Sequence, residues 1–372
     1  MNEIIIQLNF PFCFKHCSFC PQSVCKYSPQ LMRTYVDAMV REIQSAAADM
    51  DDYEVTAVSI EGGSPVLAEP SGLQKVLRTL RKNFHLAEDV QISLQTMPGD
   101  YSRALMQKLP ECGVNHWIFG VQTADLKEHL LLERPYSYEA LSMVDVALKT
   151  FDVHDRSFEL LYGIPGQTEH TWEHSLLSVL SYEPEHLTLY PLHLYKGTSL
   201  YRKWHEGNLN VYTAQEKATF YQQARTRLNE LGYHQYTIYD FAKPGCENQY
   251  RVKELAGTER LGIGYKAESF LDGVSYKNGH SLQQYLDHSD DLSVIANQVT
   301  RLDDESLMYK EMRSALVSLT GIDLSAIRGK YGEALAEKAG EALQQMEAKK
   351  DISQHEGKCL LTDTGIAEFV IG

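Results

Sequence analysis

Residues 3–20 read EIIIQLNFPFCFKHCSFC, an apolar run that passes directly into a loop carrying Cys13, Cys17 and Cys20. The apolar run over 3–8 predicts a buried strand. Three thiolates at this spacing can each bind one iron of a cubane cluster and leave the fourth iron without a protein ligand. An open metal position is also what a catalytic site needs in order to admit a substrate. The stretch therefore predicts a [4Fe–4S] cluster after the first strand.

Structural zinc is the alternative for this loop. Cys25 follows the motif and His16 lies within it, so four ligands could close a tetrahedral zinc site. Zinc loops usually cap small modules, whereas this loop follows the first strand of a long alternating pattern, which favours the cluster. The other cysteines (Cys112, Cys246 and Cys359) are scattered, so the cysteines do not form a disulfide framework. The roles of Cys25 and Cys246 stay open.

The first two-thirds of the chain alternates strands and helices. Strands are predicted over 3–8, 57–61, 89–94, 116–121, 157–161 and 186–192, and helices over 31–50, 101–112, 137–150, 171–180 and 214–231. This alternation predicts parallel strands with right-handed crossovers, hence an α/β fold with a partial (β/α)6 TIM-type barrel over 1–232. In such barrels the loops after the strands share one face, where the chemistry occurs. The cysteine loop follows strand one and belongs to that face.

The last third has a different pattern. Residues 233–300 are mixed and Gly-rich and are interpreted as a linking region. Helices over 305–319 and 332–349 and a hairpin over 352–361 predict a smaller winged-helix-like α+β domain over 301–372.

Composition narrows the classes of partner. The chain has 372 residues, 43% hydrophobic and 23% charged, with a formal net charge of −15. That charge argues against broad contact with nucleic acid or with an anionic membrane surface. We find no signal peptide and no apolar run long enough to span a bilayer. The expectation is a cytoplasmic protein with no nucleic acid and no membrane partner.

Further motifs follow the later strands. They are EGGSP over 61–65, GVQT over 120–123, YGIPGQT over 162–168 and LLTDTG over 360–365. With the cysteine spacing, they resemble the oxygen-independent coproporphyrinogen III dehydrogenase-like family of radical S-adenosylmethionine (SAM) proteins. That family includes dehydrogenases, heme chaperones and class C methyltransferases.

The resemblance implies a mechanism and cofactors. SAM chelates the open iron, and an electron from the reduced cluster cleaves it to methionine and a 5′-deoxyadenosyl radical that abstracts hydrogen. Family members that this chain resembles most bind two SAM molecules, so one or two are expected here. A reductase such as flavodoxin or ferredoxin would supply the electron.

The resemblance also assigns residues. Cys13, Cys17 and Cys20 match the cluster ligands; Phe19 and Ile164 match contacts to adenine; Gly62 and Gly63 match the turn facing the SAM amino group; Gln122 matches a polar residue of the SAM pocket; and Arg134 matches an arginine that pairs with a SAM carboxylate. A solvated surface arginine is the alternative for Arg134. Gln95 replaces an expected Glu and is predicted to bind SAM and to act in catalysis. Glu159, also predicted to bind SAM, replaces an expected Asp.

Other departures bear on the substrate. Gln7 and Asn9 replace a Tyr and a His before the first cysteine, and Glu247 precedes Asn248 where heme chaperones of the family carry a His-Asn pair. Cys246 is the remaining candidate heme ligand in that stretch. The short segment before Cys13 argues against a true dehydrogenase.

The leading prediction is therefore class C-type methyl transfer to an sp2 carbon of a small molecule or peptide. The alternatives are porphyrin or heme metabolism, by coproporphyrinogen dehydrogenation or heme degradation, and a non-enzymatic heme chaperone.

Overall fold

The computed structural model describes residues 1–100, 103–136, 139–150 and 154–371. The strands are β1 (Asn2–Phe10), β2 (Phe12–Cys13), β3 (Cys25–Lys26), β4 (Tyr53–Gly62), β5 (His85–Thr96), β6 (His116–Gln122), β7 (Arg156–Tyr162), β8 (His186–Pro191), β9 (His234–Gln235), β10 (Asp240–Ala242), β11 (Glu259–Ile263), β12 (Glu268–Leu271), β13 (Val274–Asn278), β14 (Ala296–Arg301), β15 (Ile352–His355) and β16 (Lys358–Leu361).

The helices are α1 (Pro29–Ala46), α2 (Glu69–Asn83), α3 (Arg103–Glu111), α4 (Leu126–Leu131), α5 (Ala140–Thr150), α6 (Glu169–Leu180), α7 (Ser199–His205), α8 (Ala214–Glu230), α9 (Gln249–Leu255), α10 (Leu282–His288), α11 (Leu292–Ile295), α12 (Asp304–Val317), α13 (Leu324–Tyr331), α14 (Glu333–Ala348) and α15 (Asp363–Ile371). The predicted helices over 101–112 and 137–150 begin outside the described residues. The final residue, Gly372, also lies outside them.

One large twelve-stranded sheet organises the molecule, in the order β14-β13-β12-β11-β1-β4-β5-β6-β7-β8-β10-β9. Its centre, from β1 to β8, is parallel throughout. Within the described residues the sheet ends at β14 and β9 instead of closing. The predicted fold class, an α/β partial barrel of the TIM type, is confirmed.

Strand β1 illustrates why the barrel forms. Ile4, Ile6 and Leu8 are fully buried in the main apolar core, whereas the alternate residues Gln7 and Asn9 belong to the opposite, inner face. That alternation is the period-two pattern of a strand with two different faces. The interior of this barrel therefore carries polar side chains beside the cluster loop.

The segment predicted as a link contributes strands to both edges of the sheet. Strands β9 and β10 extend the β8 edge, and β11 to β14 extend the β1 edge. Helices α12 to α14 and the β15–β16 hairpin enclose a separate small core, which includes Met312, Ile327 and Leu343. The limits of the predicted domains stay a prediction. Among the described residues, no helix is long and apolar enough to cross a membrane.

Candidate active site

A cavity of about 390 Å³ lies at the carboxyl ends of the parallel strands, and we call it the cluster cavity. Nearly all residues that the sequence singled out line it: Cys13, Cys17, Phe19, Cys20, Gly62, Gly63, Gln95, Gln122, Arg134 and Glu159. They come from the ends of β1, β4, β5, β6 and β7 and from the loops that follow. Ile164 is fully buried in an apolar cluster beside Leu161 and Leu192 and does not line the cavity, although both neighbours do.

The glycine turn after β4 is pressed against the cysteine loop. Gly62 has a φ of +112°, and a Cβ there would lie 2.4 Å from the Oδ1 atom of Asn9. A Cβ on Gly63 would lie 2.4 Å from the carbonyl oxygen of Phe12 and 2.8 Å from the Cys13 sulfur. Atoms this close would clash, so the approach of the turn to Cys13, the first predicted cluster ligand, requires glycine at both positions.

The thiols have the chemistry of metal ligands. Burial, followed by the nearby Cys20 and Cys17, raises the pKa of Cys13 to about 12. Burial likewise raises the pKa of Cys20. Mutual repulsion of this kind is relieved when a cation binds and removes the thiol protons. A cubane takes one thiolate per iron, so its ligands need not converge on one point, and no group among the described residues converges on a single ion. The donor set fits the cluster.

Arg134 lies in the cluster cavity and not on the open surface. Its guanidinium donates to the carbonyl oxygen of Gly120 and contacts the Cys17 sulfur at 3.4 Å. Tyr136 holds the same strand end by donating to the carbonyl oxygens of Gly120 and Val121 at 2.8 and 2.9 Å. This position favours the SAM-binding interpretation of Arg134 over the surface alternative.

Two polar atoms of residues in the described wall of the cluster cavity are buried without a partner. They are the Oε1 atom of Gln122 and the Nε atom of Arg134. Gln122 follows a bulge in β6 and has a φ of 73°, a conformation that non-glycine residues adopt only when the surroundings hold them there. An unpaired buried acceptor and an unpaired buried donor are expected where a polar ligand binds.

Gln95 and Glu159 form a pair on neighbouring inner positions. The Gln95 amide donates to both carboxylate oxygens of Glu159, at 3.2 Å each. Burial raises the pKa of Glu159 to about 7, against the lowering effects of Gln95 and Arg134. The carboxyl is therefore divided between its two protonation states near neutral pH.

The structure adds residues that the sequence did not assign. One of them is Tyr190, which lines the cluster cavity. Its hydroxyl is 3.2 Å from Arg251, whose guanidinium lies 3.8 Å from Asp240. Arg251 and Asp240 come from the predicted link, and no motif marks them. Cys25 pairs with Phe12 in a two-stranded ribbon and lies outside the cavity wall.

A second and larger cavity, of about 620 Å³, lies near the opposite ends of the strands, between the predicted link and the C-terminal helices. We call it the floor cavity. Its wall is largely apolar and includes Leu255, Met312 and Ile327. At its polar side, the Nε2 atom of His234 lies 2.8 Å from the Oε1 atom of Glu247. His234 pairs across β9 and β10 with Ala242, level with the start of β8.

Comparison with known proteins places these features in context. The family model described as Radical SAM superfamily matches residues 10–179. A heme chaperone, HemW, of Bacillus subtilis is 25% identical over 361 residues, covering 96% of this chain and 95% of the relative. The oxygen-independent coproporphyrinogen III oxidase of Salmonella typhimurium is 24% identical over 357 residues, covering 92% and 78%.

Among solved structures, coproporphyrinogen III oxidase (HemN) from Escherichia coli matches with a TM-score of 0.84 and 21% identity, over 100% of this chain and 90% of that one. At this identity the likeness concerns the fold.

Proposed function

We propose that this chain is a radical SAM protein that uses a [4Fe–4S] cluster and SAM to act on a tetrapyrrole. The observation that carries the proposal is the convergence of three thiols, a glycine turn, Arg134 and the Gln95–Glu159 pair on one cavity. When bound, the reduced cluster supplies the electron that cleaves SAM, and the radical chemistry belongs to these cofactors.

The protein binds the cluster and SAM, orients them and encloses them in the cluster cavity. We assign Cys13, Cys17 and Cys20 to the cluster and Arg134 to the SAM carboxylate, which its planar fork fits. Ionised Glu159, steadied by Gln95, attracts the cationic groups of SAM.

The choice of substrate class rests on the relatives. One acts on coproporphyrinogen III by its printed name, and another is a heme chaperone that spans nearly the same length. Neither name refers to methyl transfer, the reaction that the sequence favoured, and we do not retain that reaction. A porphyrinogen or heme fits the chain better than a peptide.

The test is anaerobic reconstitution with iron and sulfide, followed by SAM and dithionite. We expect 5′-deoxyadenosine to form, faster when coproporphyrinogen III or heme is present, with consumption of that tetrapyrrole measured by mass spectrometry. Cleavage of SAM that no tetrapyrrole accelerates, together with no change in either tetrapyrrole, would contradict the proposal. Formation of S-adenosylhomocysteine would restore methyl transfer.

A heme chaperone is the second candidate function, and the floor cavity favours it. The sequence has Glu247 in place of the histidine of the His-Asn pair, but the fold brings His234 to that glutamate. A metal-ligating histidine usually donates its other ring N–H to a carboxylate, which is the arrangement of His234 and Glu247. The apolar wall suits a macrocycle, and Met312, which also lines the cavity, carries a thioether.

Heme titration of the His234→Ala variant tests this candidate. We expect the Soret shift of bound heme to be lost or its affinity to fall at least about tenfold, since axial ligation is removed. SAM cleavage should be unchanged because the cluster cavity is at the other end of the barrel. His85→Ala, which removes an exposed histidine at the start of β5, is the matched control. Equal heme binding by both variants would remove His234 as the ligand.

A further inference from the structure

A third cavity, of about 600 Å³, adjoins the cluster cavity, and we call it the side cavity. Pro21 and Gln22, which follow the last cluster cysteine, line both cavities. The far wall of the side cavity is formed by the strands that extend the sheet beyond β1 and by the turn that joins β11 to β12. The two cavities together offer an elongated site on either side of the cluster loop.

A lysine lies on each side of this elongated site. Lys266 lines the side cavity and Lys15 lines the cluster cavity, and both are exposed. In the part of the chain that the structure describes, neither has an ion-pair partner, although the chain carries a net charge of −15. Lys277, in the same wall, differs because its ammonium is 2.6 Å from Glu268.

Lys266 is held in place by the turn that carries it. Its φ is 63°, the left-handed region, and its backbone N–H donates to the carbonyl oxygen of Asn278 at 2.7 Å. The preceding Tyr265 accepts a hydrogen bond from the Asn9 amide at 2.7 Å and donates its N–H to the hydroxyl of Tyr35 at 2.8 Å. A non-glycine residue stays in this conformation only where the surroundings determine it. The lysine is thus presented at a fixed place beside the strand that leads into the cluster loop.

The carboxylates of the side cavity are already engaged. Glu61 accepts from the Gln7 amide and, at 3.0 Å, from the hydroxyl of Ser59. Glu268 pairs with Lys277. The Lys266 ammonium lies 5.5 Å from the centroid of the Tyr265 ring and has no carboxylate partner in the described part of the chain, so it is the cation of this wall that is available to a carboxylate ligand.

We propose that Lys266 and Lys15 bind carboxylates at opposite ends of the substrate, and that they make the site selective for a tetrapyrrole with free propionate groups. This inference rests on the proposed function, because it names the substrate groups that the same site would bind. An ammonium that meets a carboxylate forms a charge-assisted hydrogen bond, which is stronger than one between neutral groups. Lys15 and Lys266 line two adjoining cavities, and a macrocycle with carboxylates on opposite sides offers one carboxylate to each lysine.

The test compares metal-free coproporphyrin III, with four carboxylates, and its neutral tetraamide. Both are titrated by porphyrin fluorescence into the reconstituted full-length protein with SAM under anaerobic conditions. A metal-free porphyrin gives His234 no iron to ligate. We expect the acid to bind about tenfold or more tightly than the amide, and this preference to weaken as salt is added.

Variants then assign the preference to the lysines. Lys266→Met and Lys15→Met should each weaken binding of the acid about tenfold, as the loss of one charged contact predicts, and leave the amide unaffected. Lys75→Met is the matched control, since Lys75 is exposed and pairs with Asp37 on the helical surface. If the acid and the amide bind alike, or if the variants match the control, the proposal is overturned while the proposed function stands. If the wild-type protein binds neither porphyrin, the proposed function fails as well.

Discussion

The cluster cavity and the floor cavity are built in different ways. The cluster cavity is lined by residues that follow successive parallel strands of one barrel. The floor cavity is formed where the predicted link meets helices of the C-terminal segment. The first has the chemistry of cofactor binding, and the second has an apolar wall with one histidine–glutamate pair. The comparison places the proposed site of chemistry and the proposed site of heme binding at opposite ends of the same barrel.

Two carboxyls show the same contrast on a smaller scale. Glu159 lies within β7 at the cluster cavity, and Asp155 comes just before that strand at the other end. The pKa of each is raised to about 7, in both cases chiefly by burial. The hydrogen bond from Gln95 and the positive charge of Arg134 lower the pKa of Glu159. The negative charges of Glu185 and Glu247 instead raise the pKa of Asp155. Glu159 lines a candidate ligand site. Asp155 belongs to an internal group of like-charged carboxyls.

The largest expected effect is the loss of iron and of SAM cleavage when a predicted cluster cysteine is replaced, compared with the replacement of the nearby Cys25. Cys17→Ser should abolish 5′-deoxyadenosine formation and lower the iron content, because the cubane loses one of three ligands. Cys25→Ser should retain both, since Cys25 lies outside the cavity wall. Iron analysis and product quantification of the two variants check this. Equal loss in both variants would favour a four-cysteine site and revive the zinc alternative.

The next effect concerns the SAM-binding end alone. Arg134→Lys should weaken SAM binding about tenfold to a hundredfold, because a lysine cannot reproduce the bidentate fork. Equilibrium binding of SAM to the reconstituted protein measures this. Arg225→Lys, which changes an arginine paired with Asp363, is the matched control and should bind SAM normally. Normal SAM binding by Arg134→Lys would return Arg134 to a purely structural role.

The pH dependence of SAM binding distinguishes the two carboxyls. Glu159 has a pKa of about 7, so its ionised fraction rises about tenfold between pH 6 and pH 8. We expect the ratio of wild-type to Glu159→Gln affinity for SAM to rise over that interval by up to about tenfold. Asp155→Asn should keep the wild-type dependence. A ratio that stays flat with pH would mean that SAM does not sense the charge of Glu159.

The smallest effect is on stability at the other end of the barrel. A raised folded-state pKa means that Asp155 stabilises the fold in its protonated form, fully below its unfolded pKa and progressively less as pH rises through about 7. Asp155→Asn removes this titration and also suits the φ of 62° at that position. The variant should therefore gain in Tm relative to wild type, by a few degrees, between pH 5 and pH 8. Paired thermal melts at the two pH values would show it, and a constant difference would contradict the assignment.

The barrel and its cluster cavity could be predicted from the sequence because their signals are local. Each strand is a short apolar run, and the cysteine spacing and the glycine turns lie directly after such runs. In a parallel barrel the carboxyl ends of the strands meet at one face. Placing each motif after its strand was therefore sufficient to bring Cys13, Gln95 and Glu159 together. The prediction for Ile164 was less successful, because side-chain packing decides which apolar residues line the cavity. Ile164 packs behind the wall, against Leu161 and Leu192.

The sequence by itself determined the parallel barrel and most of the residues that line the cluster cavity, including the three cysteines predicted as cluster ligands. Only the tertiary structure decided the pairing of His234 with Glu247, the approach of Arg251 to Tyr190 and the position of Lys266 beside the cluster loop. The contacts of Arg251 and Lys266 join segments far apart in the chain, and the His234–Glu247 pair depends on the short strands β9 and β10, which are added to the sheet edge. Two- to six-residue strands have no reliable pattern of their own, because their stability comes from the sheet edge that they join.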